Sequence, residues 1–180
     1  MIRYNPDVHH RRSIRLKGYD YSQPGLYFIT ICCKDRTPIF GEVKNDEMIL
    51  NPCGGIAKCE WLKTAEMRED VDVLEHVIMP NHMHGIILLR DVAPVGAYCN
   101  TPLPNESRPF KSPSKTIGAI IRGYKSTVTK QINHLRQTPG LPIWQRNYYE
   151  HIIRDEKSYH QIAEYIRINP LKWQDDRYYA

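Results

Sequence analysis

One hundred and eighty residues suit one domain with decorations, at roughly 100–200 residues per domain. With 41% hydrophobic and 25% charged residues the chain can bury a core, which excludes a disordered tail, and Lys+Arg 25 against Asp+Glu 20 leaves a mild +5. Cys32, Cys33, Cys53, Cys59 and Cys99 are odd in number and contain no C-x-x-C pair, which argues against a disulfide framework and a zinc ribbon. The start, Met1 to Pro6, has no apolar stretch of signal-peptide length, and the aliphatic run Ile86 to Leu89 is too short to span a bilayer. A cytoplasmic protein without a membrane partner is expected.

Residues 1–24 read as a basic extension. From His9 to Lys17 they carry Arg11, Arg12, Arg15 and Lys17 with no acid, and Tyr19 to Gly25 then reads as a turn. Residues 25–180 read as a single domain. Leu26 to Cys33 is dense in β-branched and aromatic residues and predicts a strand. A hairpin is expected between Pro38 and Leu50 with Asn45-Asp46 at its tip, then a helix from Cys53 to Arg68. Two apolar strands follow, Val71 to Met79 and His84 to Arg90, split by Pro80-Asn81. Residues 91–113 hold Pro94, Pro102, Pro104, Pro109 and Pro113 and predict a mobile loop. A basic helix is expected over 114–136, with Ile117, Ile120, Ile121, Tyr124, Val128 and Ile132 inward and Lys115, Arg122, Lys125 and Lys130 outward. A strand over 143–154 and a helix over 155–168 complete the chain. This order predicts an α+β fold, a ferredoxin-like antiparallel sheet with helices on one face, the basic extension before it and a catalytic helix at its C-terminal end.

The most informative stretch is Met79-Pro80-Asn81-His82-Met83-His84-Gly85. Residues two apart on a strand share a face, so His82 and His84 are neighbours while Met83 faces away. Their imidazoles can reach one metal, and Pro80-Asn81 sets them at a strand mouth with Gly85 leaving room beside them. Two histidines plus an oxygen donor, with positions left open, suit Mg²⁺ or Mn²⁺ acting on a phosphate better than a closed zinc site. Read blandly, they are two half-exposed histidines at a hairpin end. On the late helix Tyr159, Ile162, Ala163 and Ile166 form an apolar stripe, and Tyr165 and Asn169 share a bordering face. Taken alone, Tyr165 reads as a core aromatic with a wet tip and Asn169 as a cap before Pro170.

The combination of His82-Met83-His84 with Tyr165-x-x-x-Asn169-Pro170 resembles the single-tyrosine HUH transposases, and most closely the REP-associated tyrosine transposases. The similarity extends from the Arg11 to Tyr27 region through Trp144-Gln145-Arg146 and Tyr149-Glu150-His151 to Pro170. The resemblance implies His82, His84 and Asn169 as metal ligands and Tyr165 as the nucleophile, ahead of Tyr148, Tyr149 and Tyr159, which have no carboxamide four residues later. Many relatives outside this branch carry Gln where Asn169 stands. The implied activity is metal-dependent cleavage and rejoining of single-stranded DNA beside a hairpin, through a 5′-phosphotyrosine and a free 3′-hydroxyl. A monomer is expected, with a dimer as the alternative.

A phenol of pKa about 10 is scarcely ionised at pH 7, so attack needs a cation to take up charge. Histidine ligands must be neutral, which predicts loss of activity below about pH 6. Cations that track phosphates among rings that accept bases suit a single strand. Arg11, Arg12, Arg15, Lys17 and Tyr19 fit that role, with Tyr21 beside them, and Arg122, Lys125 and Arg146 extend the candidate DNA-binding set. Glu150-His151 reads as a structural hydrogen-bonding pair and Cys32-Cys33 as core packing. A replication initiator or relaxase would use the same chemistry. The rival of another class is a domesticated hairpin-DNA binding protein that no longer cuts.

Overall fold

The computed structural model describes residues 19–91 and 116–179. Arg11, Arg12, Arg15, Lys17 and Lys115, and the proline-rich loop beyond residue 91, lie outside them. The elements run β1 (Gly25–Cys32), β2 (Gly41–Lys44), β3 (Glu47–Leu50), α1 (Pro52–Glu66), β4 (Val71–Ile78), β5 (His82–Leu89), α2 (Ile117–Arg136), β6 (Tyr149–Ile153) and α3 (Glu156–Arg167). Four strands form an antiparallel sheet in the order β4-β5-β1-β6, and β2 pairs with β3 alone. Setting that hairpin aside, β1-α1-β4-β5-α2-β6 is the ferredoxin-like βαββαβ arrangement, as expected.

Local chemistry explains the boundaries. Asn45 and Asp46 take φ of 51° and 63° at the hairpin tip, the left-handed pair a two-residue turn requires. Asn51 caps α1 by accepting from the Gly54 N–H, with Pro52 at the first helical position. Thr116 caps α2 through the Ala119 N–H, and Gln137 in the left-handed region ends it. Asp155 caps α3 through the Ser158 N–H.

Alternation along β1 divides the core. Tyr27, Ile29 and Ile31 join Met83 and Ile87 of β5 beneath α1 and α2, where Trp61, Ile120, Ile121, Tyr124 and Val128 are buried. Phe28 and Ile86 face the other way and pack against Ala163 and Ile166 of α3. The first two helices therefore share one face, and the C-terminal helix lies on the other by itself. Residues 19–24 are not detached: Tyr21 is buried in the larger core and Tyr19 packs against it.

Three details depart from the expectations. β5 begins at His82, so both histidines sit on the ladder opposite Cys32 and Thr30. The last strand is shorter than predicted, because residues 145–147 turn their carbonyls to the Lys125 ammonium before β6 starts. The room at Gly85 serves the core, not the histidines. It lies on the Met83 face, where an added Cβ would meet Trp61 Cζ2 at 2.5 Å.

Candidate active site

His82 and His84 come from the most deeply buried stretch of the sheet, and neither is accessible to solvent. Their Nε2 atoms lie 3.1 Å apart. Each ring is oriented from behind. The Asn81 carboxamide donates to the Arg36 and Tyr178 carbonyls, so its Oδ1 is left to accept from His82 Nδ1 at 2.9 Å. That bond puts the His82 proton on Nδ1 and leaves the Nε2 lone pair facing the site. Thr30, directly across the ladder, bonds His84 Nδ1 at 2.8 Å, and Phe28 stacks on the same ring.

α3 brings Tyr165 over this pair, with its phenol oxygen 3.1 Å from His84 Nε2. One turn later Asn169 is 2% exposed; its Nδ2 donates to Asp176 Oδ2, while its Oδ1 has no hydrogen-bond partner. Asn169 is thus not spent as a helix cap. Beyond α3 a 3-10 turn, Trp173–Asp175, folds the chain back across the site. There the Tyr178 ring lies 4.6 Å from the His82 ring and 5.8 Å from that of His84, with Trp173 at 5.9 Å from His82. The strand mouth read from Pro80-Asn81 is closed by this segment.

Burial dominates the electrostatics. It pushes His82 down to about 4, against the opposing pull of Asp176, and His84 well below the ordinary imidazole range, with His82 adding to the effect. Protonation, expected near pH 6, therefore moves to more acid pH. Burial and then the Asp176 carboxylate push the Tyr165 phenol up to about 12, opposed in part by the Arg177 guanidinium and the Asn169 carboxamide.

The donor set fits a divalent cation. Two donors about 2.1 Å from one ion at a right angle stand about 3 Å apart, which matches the two imidazole nitrogens. Ligand atoms of His82, His84 and Asp176 all lie within 4.8 Å of one another. The unpartnered Asn169 Oδ1 is a further oxygen donor. Asp176 and Thr30 were not singled out from sequence. Thr30 could have been found from its place two residues after Phe28 on β1; Asp176, one of two adjacent acids after α3, carried no signal.

The remaining candidates scatter. The Tyr159 phenol donates to Glu75, Tyr149 stands edge-on to Phe28, and Tyr148 packs on the larger core. Glu150 lies opposite Ile29 and so faces away from the histidines. Arg122 and Arg146 are exposed, and Lys125 is half-buried beneath the 145–147 carbonyls. Arg122 and Lys125 belong to the helix layer on the opposite face of the sheet from His84. Tyr19 meets Tyr27 through their phenol oxygens at 3.3 Å. No helix among the described residues is long and apolar enough to cross a membrane.

No protein-family model matches the chain. An uncharacterized protein of Haemophilus influenzae is 48% identical over 180 residues, 99% of this chain and 98% of that one. A second protein of that organism, described as "Putative REP-associated tyrosine transposase", is 26% identical over 161 residues, 85% of this chain and 74% of that one. The solved structure of a REP-associated tyrosine transposase bound to a REP hairpin superposes with a TM-score of 0.51 at 21% identity, covering 88% of this chain and 74% of that one. By fold, then, this is an α+β domain similar to that of a REP-associated tyrosine transposase. In sequence and fold together the chain is similar to the REP-associated tyrosine transposases, and the resemblance read from its motifs is borne out.

Proposed function

We propose that the protein cleaves and rejoins single-stranded DNA beside a hairpin, using Tyr165 as nucleophile and a divalent cation, Mg²⁺ or Mn²⁺, held by His82, His84 and Asn169. The observation that carries this reading is the approach of the Tyr165 phenol to His84 Nε2 at 3.1 Å, with His82 Nε2 the same distance beyond. The Tyr165 phenol and two imidazoles with their Nε2 atoms 3.1 Å apart stand together on the α3 face of the sheet, with the partnerless Asn169 carboxamide oxygen one helical turn beyond Tyr165. The hairpin is inferred from the structural relative, which is bound to one.

When bound, a divalent cation would polarise a non-bridging phosphate oxygen and stabilise developing charge. The chain's own residues do the rest. Asn81 holds His82 in the required tautomer, and Thr30 fixes the orientation of the His84 ring. α3 fixes the Tyr165 oxygen through Phe28, which meets the Tyr165 ring edge-on at 6.3 Å. Tyr165 Oη forms a bond to phosphorus as the 3′ oxygen leaves with its electron pair and takes up a proton. The phenol proton is released to water as that bond forms. The products are a 5′-phosphotyrosine and a free 3′-hydroxyl, which can later reverse the step without ATP. Because both histidines are sealed from solvent beneath the Tyr178 and Trp173 rings, a phosphodiester reaches them only when those side chains turn aside, the backbone staying in place.

Labelled single-stranded hairpin oligonucleotides incubated with Mg²⁺ or Mn²⁺ should give an adduct that survives denaturing electrophoresis. Chelator should abolish it. An adduct that persists in Tyr165→Phe would move the nucleophile to another tyrosine, and absence of any adduct or cleavage across hairpins from the host element would refute the enzymatic reading. Steep weakening of binding with salt is expected if the N-terminal arginines contact phosphate.

A further inference from the structure

His82, His84 and Asn169 are all neutral donors, and hard divalent cations are commonly held by at least one carboxylate. Resting on the metal-dependent reading above, we propose that Asp176 is a further protein ligand of the same centre, delivered by the segment that follows α3 and held in place by Asn169 and Tyr178. His82, His84 and Asp176 form the one compact group of three His, Cys, Asp or Glu side chains suited to an ion among the described residues.

The carboxylate is placed by named contacts. Its Oδ2 accepts from Asn169 Nδ2 at 2.9 Å and its Oδ1 from the Tyr178 backbone N–H at 2.7 Å. A carboxylate has about four lone-pair sites, so each oxygen keeps one after these bonds. The segment carrying it is pinned to the body of the protein: the Asn81 amide donates to the Tyr178 carbonyl at 2.8 Å and the Arg36 guanidinium to the Arg177 carbonyl at 3.0 Å. Asn81 therefore sets the His82 tautomer and holds the Asp176 segment with one side chain. The neighbouring acid, Asp175, is exposed and takes no part in the group.

The carboxylate also supplies the negative charge that two imidazoles and a carboxamide lack. Asn169 then has two tasks, its Nδ2 orienting Asp176 and its Oδ1 left for the ion. This makes Asp176 a ligand and Tyr178, through its backbone, a positioning residue.

The test is Mn²⁺ binding to the full chain after chelation, followed by the free-ion electron paramagnetic resonance signal at pH 7.5. Wild type, Asp176→Asn and His84→Ala are compared, with the melting temperature of each in chelator. The expected result is that D176N folds and binds Mn²⁺ about 10–100-fold more weakly, while H84A loses binding. D176N binding as tightly as wild type, with H84A impaired, would overturn the assignment of Asp176 alone. Equal Mn²⁺ binding by wild type and H84A would overturn the histidine metal site as well. Should D176N fail to fold, Asp176→Glu asks the same question: several-fold weaker binding with an altered resonance spectrum supports ligation, and unchanged affinity and spectrum refute it.

Discussion

Gly85→Ala is the sharpest test of how the histidine strand is held. The added methyl would lie 2.5 Å from Trp61 Cζ2, 2.9 Å from Cε2 and 3.1 Å from Nε1. Trp61 has nowhere to retreat: it is fully buried and its ring stands edge-on to Tyr124 at 5.2 Å. Overpacking of this kind costs about 1–3 kcal/mol, against which Gly→Ala stabilises by about 0.4–1 kcal/mol through the unfolded chain where the native conformation permits it. A net loss of about 1–2 kcal/mol is expected. Urea denaturation followed by far-ultraviolet circular dichroism reads it as a lowered midpoint at constant slope. In Trp61→Phe the indole atoms nearest the new methyl are removed. The double variant should therefore be more stable than the sum of the singles by on the order of 1 kcal/mol. G85A as stable as wild type, or strict additivity with W61F, would refute this account of the glycine.

Other consequences concern the site. Asn81→Ala should weaken Mn²⁺ binding by roughly 10–100-fold, since His82 loses the acceptor that keeps its proton on Nδ1; calorimetric titration checks it, and unchanged affinity would contradict the tautomer assignment. His82 is held neutral when folded, at about 4 against 6.5 for the unfolded ring, so between those values the unfolded chain binds the extra proton. Stability should then be complete above about pH 6.5 and fall as pH drops toward 4, by on the order of 3 kcal/mol from this ring; urea midpoints flat from pH 7 to pH 4.5 would contradict the burial argument. Lys125→Met removes the ammonium that gathers the 145–147 carbonyls and should lower stability by about 1–2 kcal/mol in the same denaturation assay. If Arg122 and Arg146 contact phosphate, replacing either by Ala should reduce the salt slope of DNA binding by about 1, measured by fluorescence anisotropy.

Residues whose environment is local were legible in the chain. The inward positions of α2, from Ile117 to Ile132, follow from helical spacing and are all buried. The hairpin tip at Asn45-Asp46 follows from residue chemistry, because those side chains tolerate the left-handed backbone the turn needs. His82 and His84 share a face because a strand has period two, whatever else surrounds it. What local pattern could not foresee was depth. The histidines read as half-exposed at a strand mouth, yet they are sealed by Tyr178 and Trp173, which lie some ninety residues further along. Lys125 looked like an exposed cation on a helix face, and only the path of residues 145–147 turns it into a clamp.

The sequence by itself determined the order of elements, the sheet face that carries His82 and His84, and the pairing of Tyr165 with Asn169 one turn apart, since all three depend on residue spacing along a regular backbone. The tertiary structure decided which atoms meet. Strand pairing set Thr30 behind His84, the path of β5 past α1 gave the space at Gly85 to Trp61, and the fold-back after α3 brought Asp176 to within reach of the imidazoles. Each of these contacts joins residues far apart in the chain, and their energies come from burial and geometry that no local spacing encodes.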